Sequence, residues 1–213
     1  ASRGLGDVYK RQYNGRVSIR VFFVGDELVA GYGDARALGW VGRTIARSPS
    51  DPPLMPISLA YPGETTDRLV SRWEAEVLPR LDRDADNRLV VGLGSHDLSV
   101  TSTSRSRLYL ANMLDTAVRR GMSPFVVGPP PRLNIAARDQ AELTRAFSEV
   151  CERRQIPFVD TYNPLRDHEQ WLTDMATSAD SYCPRQAGYG LMTWLVLHKG
   201  WHRWLGIEPP TAD

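Results

Sequence analysis

Cysteines, long apolar runs and excess charge are all scarce in this chain, and each scarcity excludes a class of protein. The two cysteines, Cys151 and Cys183, are too few for the disulfide framework of a small secreted domain, so we expect a reduced, cytoplasmic setting. No apolar run approaches the roughly 18 residues that a membrane helix requires, and the first, at residues 21–24, is too short for the core of a signal peptide. The net charge is +1, which favours no polyanion partner. The sequence therefore predicts partners that are neither nucleic acid nor membrane.

The length of the chain and the lack of repeats predict one domain. A chain of 213 residues is long enough to bury a sizeable core. Residues 1–15 show no hydrophobic periodicity, and we interpret them as a disordered or tag-like segment. Residues 16–213 are the predicted domain.

Short apolar runs alternate with longer segments of helical periodicity. The five runs, which predict strands, are at residues 17–24, 55–60, 88–91, 124–127 and 157–160. The predicted helices are at residues 35–46, 66–81, 105–120, 136–154 and 186–204, although Pro79 makes the last turn of the second doubtful. Alternation of this kind predicts an α/β fold, a three-layer sandwich around a central parallel five-stranded sheet.

Polar motifs follow the predicted strands, where the sites of such folds lie. They read Gly25-Asp26-Glu27-Leu28, Gly63-Glu64-Thr65-Thr66 and Gly94-Ser95-His96-Asp97, and a fourth, Asp180-Ser181-Tyr182-Cys183-Pro184, precedes the last helix. Because the carboxyl ends of parallel strands meet at one sheet edge, we expect these motifs to converge.

The order and spacing of the four motifs resemble the SGNH/GDSL hydrolases, also described as GDSL-like lipases and acylhydrolases. That family has Gly-Asp-Ser-Leu after its first strand, a glycine after the second, Gly-x-Asn-Asp after the third and Asp-x-x-His-Pro before the last helix. The resemblance covers roughly residues 16–205 and implies a flavodoxin-like fold. It also implies an ester, thioester or amide hydrolase, or an acyltransferase, that acts on a small acyl substrate.

Three family positions carry different residues here. Glu27 stands in place of the nucleophilic serine, His96 in place of the oxyanion asparagine, and Cys183 in place of the catalytic histidine, whereas Gly63 and Asp180 match the pattern. The ordinary serine mechanism therefore does not carry over. The resemblance still implies that the three replaced side chains share one pocket.

A carboxylate, an imidazole and a thiol in one pocket can form a rearranged triad. In this hypothesis Cys183 attacks the acyl group, His96 takes its proton, and Glu27 orients the imidazole. The resemblance implies that the backbone of Gly63 stabilises the oxyanion and that Asp26 and Asp180 are supporting residues of the site. The hypothesis requires no cofactor, and the protein is expected to be a monomer or homodimer.

Two alternatives stay open from the sequence. In the first, the chain is a catalytically inactive binding domain of the same fold, since all three active groups are lost. In the second, it is a metal-dependent hydrolase with Glu27, His96 and Cys183 as zinc ligands, because each of these residue types binds zinc.

Overall fold

Five parallel strands form the centre of the protein in a computed structural model that describes residues 17–178 and 183–209. The strands are β1 (Ile19–Gly25), β2 (Leu54–Ala60), β3 (Asp86–Gly92), β4 (Ser123–Val127) and β5 (Phe158–Val159). They lie in the order β2-β1-β3-β4-β5, and every neighbouring pair is parallel. The predicted α/β fold with a five-stranded parallel sheet is confirmed.

Helices cover both faces of the sheet. They are α1 (Glu27–Ala30), α2 (Gly39–Ala46), α3 (Thr66–Val77), α4 (Asp97–Val100), α5 (Thr103–Arg119), α6 (Ala137–Glu152), α7 (Tyr162–Leu165), α8 (Glu169–Ala176), α9 (Gln186–Val196) and α10 (His202–Leu205). Successive residues of a strand face opposite sides. Val21 and Phe23 accordingly pack into one apolar core, and Phe22 and Val24 pack into the other. None of the helices in the described ranges has both the length and the apolar character needed to cross a bilayer.

Helix boundaries differ from the predicted ones where side chains or backbone strain intervene. The predicted helix at residues 35–46 begins only at Gly39, because the Asp34 carboxylate accepts the backbone N–H groups of Leu38 and Gly39 and holds the preceding loop. The helix predicted to end at residue 81 stops at Val77. It continues as a 3-10 turn that contains Pro79, which cannot donate an intrahelical hydrogen bond.

The C-terminal helix is interrupted, whereas the sequence predicts one continuous element. A π-helical turn, Leu197–Trp201, separates α9 from α10, and Gly200 within it has a φ of 110°. The short helices α1, α4, α7 and α8 lie within predicted loops and were not anticipated. The prediction for residues 1–15 lies outside the described residues.

β1 and β3 approach each other closely at the edge where the polar motifs lie. Gly25 pairs in register with Gly92, and a Cβ on Gly25 would overlap the backbone oxygen of Gly92. Gly25 also has a φ of 149°, which L-residues with side chains rarely adopt. The turn from β1 into α1 therefore requires glycine.

Replacing Gly25 with Ala should lower the free energy of unfolding by about 3 kcal/mol, through overpacking and backbone strain. This corresponds to a fall in Tm of roughly 6–12 °C for a domain of this size. The matched control is Gly190→Ala in α9, where an added Cβ meets nothing within 4 Å, so helix propensity should leave Tm unchanged or raised. Equal Tm values for the two variants, measured by calorimetry, would contradict this account of the turn.

Candidate functional site

The Glu27 side chain starts at the turn that follows β1. Asp26 caps α1, since its Oδ1 accepts the backbone N–H of Leu28 at 3.0 Å. Glu27 is the first residue of that helix and is 8% exposed. The turn aims its carboxylate across the carboxyl ends of the strands, towards the loops that follow β2, β3 and β4.

Each oxygen of the Glu27 carboxylate accepts hydrogen bonds from those loops. The backbone N–H of Gly63 donates to Oε2 at 2.8 Å. On the other oxygen, Oε1, His96 Nε2 lies at 2.6 Å and a guanidinium nitrogen of Arg132 at 3.3 Å. Three loops therefore converge on a single carboxylate.

The contacts of His96 fix its tautomer. Its Nε2 lies 2.6 Å from Glu27 Oε1 and 3.1 Å from the Arg132 guanidinium. Because a carboxylate is only an acceptor, the shorter contact, at 2.6 Å, assigns a proton to Nε2, which donates it to Glu27. The assignment follows from the hydrogen-bond network.

The Gly63 turn is held by an ion pair behind it. Gly63 has a φ of 70°, and the next residue, Glu64, is fully buried. Arg72 of α3 donates to the Glu64 carboxylate at 2.6 Å through Nε and also to the backbone oxygen of Leu59 at 2.8 Å. These bonds tie the turn to β2 and α3, which fixes the direction of the Gly63 N–H.

The His96 loop is anchored by the residue that follows it. Asp97 is 1% exposed, and its carboxylate accepts the backbone N–H of Thr66 at 3.2 Å and the hydroxyl of Ser106 at 2.9 Å. It thus links the loop after β3 to the starts of α3 and α5. The neighbouring Ser95 is also buried.

Arg132 belongs to the site although it was not among the predicted site residues. Its side chain is 1% exposed, and Gln140 holds its backbone through two hydrogen bonds, of 2.7 Å to the N–H and 3.0 Å to the oxygen. The available signal was an arginine directly after Pro129-Pro130-Pro131 at the end of β4, the same sheet edge as the other motifs. Arg132 also lines a groove of about 600 Å³ at the start of α6.

Asp26 lies beneath this cluster in a fully buried position. Its Oδ2 accepts no hydrogen bond from the described residues, and lies 3.7 Å from both His96 Nε2 and Arg132. Burial and the negative charge of Glu27 raise the pKa of the Asp26 carboxyl to about 7. For Glu27, burial alone would raise the pKa, but the hydrogen bonds from His96 and Gly63 lower it to about 2.

Cys183 packs in the apolar core behind the site. It is fully buried, in a cluster that includes Tyr189 and Trp171. Burial and the adjacent Cys183 raise the pKa of the Tyr189 hydroxyl. Among the described residues no hydrogen bond joins the Cys183 thiol to His96 or Glu27. The structure thus brings Glu27, Gly63 and His96 together over Asp26, and Asp180 lies outside the described residues.

The cluster of possible metal ligands differs from the predicted one. Within the described ranges, the ligand atoms that lie within 4.8 Å of one another belong to Asp26, Glu27 and His96, so Asp26 takes the place predicted for Cys183. A guanidinium nitrogen of Arg132 contacts this same group. Arg132 therefore supplies the positive charge that a metal ion would bring.

Comparisons with known proteins agree with this architecture. Residues 23–191, more than half of the chain, match the model of the GDSL-like lipase/acylhydrolase family. The chain belongs to that family. No curated protein sequence matches it. The predicted resemblance is confirmed at the level of the family.

Solved structures of lipases and esterases share the fold of this family member. A lipase/acylhydrolase from Enterococcus faecalis is 22% identical with a TM-score of 0.67, over 92% of this chain and 100% of that chain. A catalytic mutant of an acetylxylan esterase from Geobacillus stearothermophilus is 17% identical with a TM-score of 0.70, over 91% and 97%. An esterase from Pseudoalteromonas sp., inhibited by monoethylphosphonate, is 16% identical with a TM-score of 0.67, over 88% and 98%. At these identities the likeness shows the fold alone.

The stability of Asp26→Asn relative to the native protein should increase as the pH rises from about 4 to about 8. The pKa of Asp26 is raised from 3.8 to about 7 on folding, so the native carboxyl binds its proton more tightly than the unfolded chain does. The stability that the native protein gains from this tighter proton binding is fully present below about pH 4 and is lost as the pH rises through 7. Asparagine does not titrate, so Asp26→Asn loses no stability from this position over that pH range.

Urea unfolding at pH 4 to 8 measures this difference. The matched control is Asp115→Asn, because the hydrogen bonds from Arg154 lower the pKa of Asp115. Its effect on stability should be constant above about pH 5. A pH-independent difference for Asp26→Asn as well would show that the buried carboxyl titrates normally.

Proposed function

We propose that this member of the GDSL-like family binds an acyl ligand without hydrolysing it. The observation that carries the proposal is the hydrogen bond from the Gly63 N–H to Glu27 Oε2 at 2.8 Å. In the family pattern Gly63 is an oxyanion donor, and here a permanent anion of the protein occupies it. An ester carbonyl cannot accept the same N–H while Glu27 stays in place.

The charge of Glu27 also opposes the reaction itself. Acyl transfer passes through a tetrahedral intermediate that carries a negative oxygen. Two like charges about 4 Å apart repel by about 4 kcal/mol at an effective dielectric constant of about 20. That repulsion corresponds to a roughly 1000-fold slower step. Because the pKa of Glu27 is lowered to about 2, the carboxylate is ionised throughout the physiological range.

The described residues around the pocket offer no accessible nucleophile. Glu27 replaces the family's serine, and the Ser95 hydroxyl beside His96 is buried without a hydrogen-bond partner. The Cys183 side chain is fully buried in the apolar core. A nucleophile must reach the substrate within about 3 Å, so the cluster around Glu27 is better suited to holding a ligand than to attacking one.

One contact favours the second candidate, acyl hydrolysis by Cys183. His96 Nε2 donates to Glu27 at 2.6 Å, which is the contact between base and orienting carboxylate that the rearranged triad requires. His96 Nδ1 would then take the proton of the thiol. This mechanism needs Cys183 to move out of the core and Glu27 to release Gly63, so we rank it second.

Restoring two family residues should create an esterase. The native protein and Glu27→Ser should hydrolyse p-nitrophenyl acetate at background rates, since the single variant gains a nucleophile but lacks the base. The double variant Glu27→Ser/Cys183→His should gain at least about 100-fold over the native protein, the lower range for a positioned general base. Initial rates at pH 7.5, with circular dichroism to verify folding, measure the effect.

Cys183→Ala in the native background separates the two candidates. Hydrolysis by the native protein that disappears in Cys183→Ala would establish the cysteine mechanism and overturn the binding function. A folded double variant that stays at background rates would contradict the premise that the pocket keeps the family's geometry.

A further inference from the structure

The three groups that contact Glu27 have the chemistry of a carboxylate receptor. Gly63 contributes a backbone N–H to one oxygen, and His96 and Arg132 contribute an imidazole N–H and a guanidinium N–H to the other. All three are donors, and they approach from separate loops. A planar anion with two acceptor oxygens satisfies them together, whereas a neutral ester or amide offers only one strong acceptor and no charge.

Each donor is fixed by contacts that do not involve Glu27. The Gly63 turn is anchored through Glu64 and Arg72, and the backbone of Arg132 is held by both bonds to Gln140. The loop that carries His96 is fixed by Asp97. Removal of the Glu27 carboxylate therefore leaves the three donor-bearing loops in place, and a backbone that is already fixed lowers the cost of binding a ligand.

The buried charge of Arg132 favours an anion at this place. Its side chain is 1% exposed, so solvent does not stabilise the guanidinium. Asp26 lies farther from the guanidinium than Glu27 does, at 3.7 Å against 3.3 Å, and its Oδ2 accepts no hydrogen bond from the described residues. Removing a carboxylate partner from a buried cation is unfavourable. Without Glu27 the site would select an anionic ligand over a neutral one of the same shape.

We propose that Gly63, His96 and Arg132 form a receptor for small carboxylate anions, and that Glu27 occupies it as a tethered ligand. The inference deepens and rests on the proposed binding function, because it names the ligand as the carboxylate of an acyl group rather than its ester. Beyond its Cβ, Glu27 consists of a methylene and a carboxylate, which together have the size and shape of acetate. A ligand of the native pocket must bring a carboxylate that displaces this side chain.

Acetate should therefore bind to Glu27→Ala, which removes the tethered acetate-like group. Raising acetate from 1 to 100 mM at constant ionic strength, with chloride as the balancing ion, should raise the Tm of this variant by at least about 3 °C. Acetamide, which has the same shape without charge, should not. Calorimetric titration should show acetate binding at least 10-fold weaker in Glu27→Ala/Arg132→Met.

Glu27→Gln is the matched control, because it fills the receptor with an uncharged side chain of the same size. Neither it nor the native protein, whose tethered carboxylate competes with free acetate, should respond to acetate over this range. An equal response of Glu27→Ala and Glu27→Gln, or an equal response to acetate and acetamide, would overturn the receptor.

A second measurement applies if Glu27→Ala does not fold in chloride buffer. Refolding from urea is then compared in 100 mM acetate, acetamide and chloride. Recovery of native circular dichroism in acetate alone supports the receptor, and no recovery in acetate contradicts it. The anion tests can contradict the receptor alone. Ester hydrolysis by the native protein would contradict the proposed binding function, so the two failures are distinguishable.

Discussion

The contact between the buried Arg132 guanidinium and the Glu27 carboxylate is the interaction on which the site depends. Arg132 is held away from solvent by the loop after β4, and the Glu27 carboxylate lies 3.3 Å from its guanidinium. Removing one partner of a buried ion pair typically costs about 3–5 kcal/mol, because the other charge is left uncompensated. This constraint favours a carboxylate at the position where the family has a serine. The positions of His96 and Gly63 depend on the same contact, because these residues and Arg132 all donate to the two oxygens of the Glu27 carboxylate.

Glycines at the strand ends create the space for this pair. A Cβ on Gly94 would overlap Asp26 Oδ2 and would lie 3.0 Å from the Arg132 guanidinium. Gly25 and Gly92, paired in register, let β1 and β3 approach where the chain turns into α1. The missing side chains thus leave space at the sheet edge, and the charged side chains occupy it. In the proposed function, the Glu27 carboxylate takes the place that a substrate would occupy in an active esterase.

The apolar runs and the polar motifs that follow them made the sheet, and the convergence of Glu27, Gly63 and His96, predictable from the sequence. Each of the five apolar runs became a strand, and the motifs at Glu27, Gly63 and His96 converged because parallel strands end at one edge. Arg132 was not predicted, because a single arginine after a proline run carries no periodic signal and its burial depends on tertiary contacts. The catalytic role of Cys183 stays a prediction. Its position in the core follows from packing around Trp171 and Tyr189, which spacing in the sequence does not encode.

The ionisation of Glu27 tests the central claim most directly. Carbon-detected NMR of the native protein, labelled with ¹³C at glutamate side chains, follows the Glu27 carboxyl carbon as the pH falls from 8 to the acid limit of the folded state. If Gly63, His96 and Arg132 all donate to this carboxylate, it should stay ionised until about pH 2, well below its usual value of 4.5. Titration near pH 4.5 in the folded protein would mean that the carboxylate does not occupy the receptor, and would contradict the account.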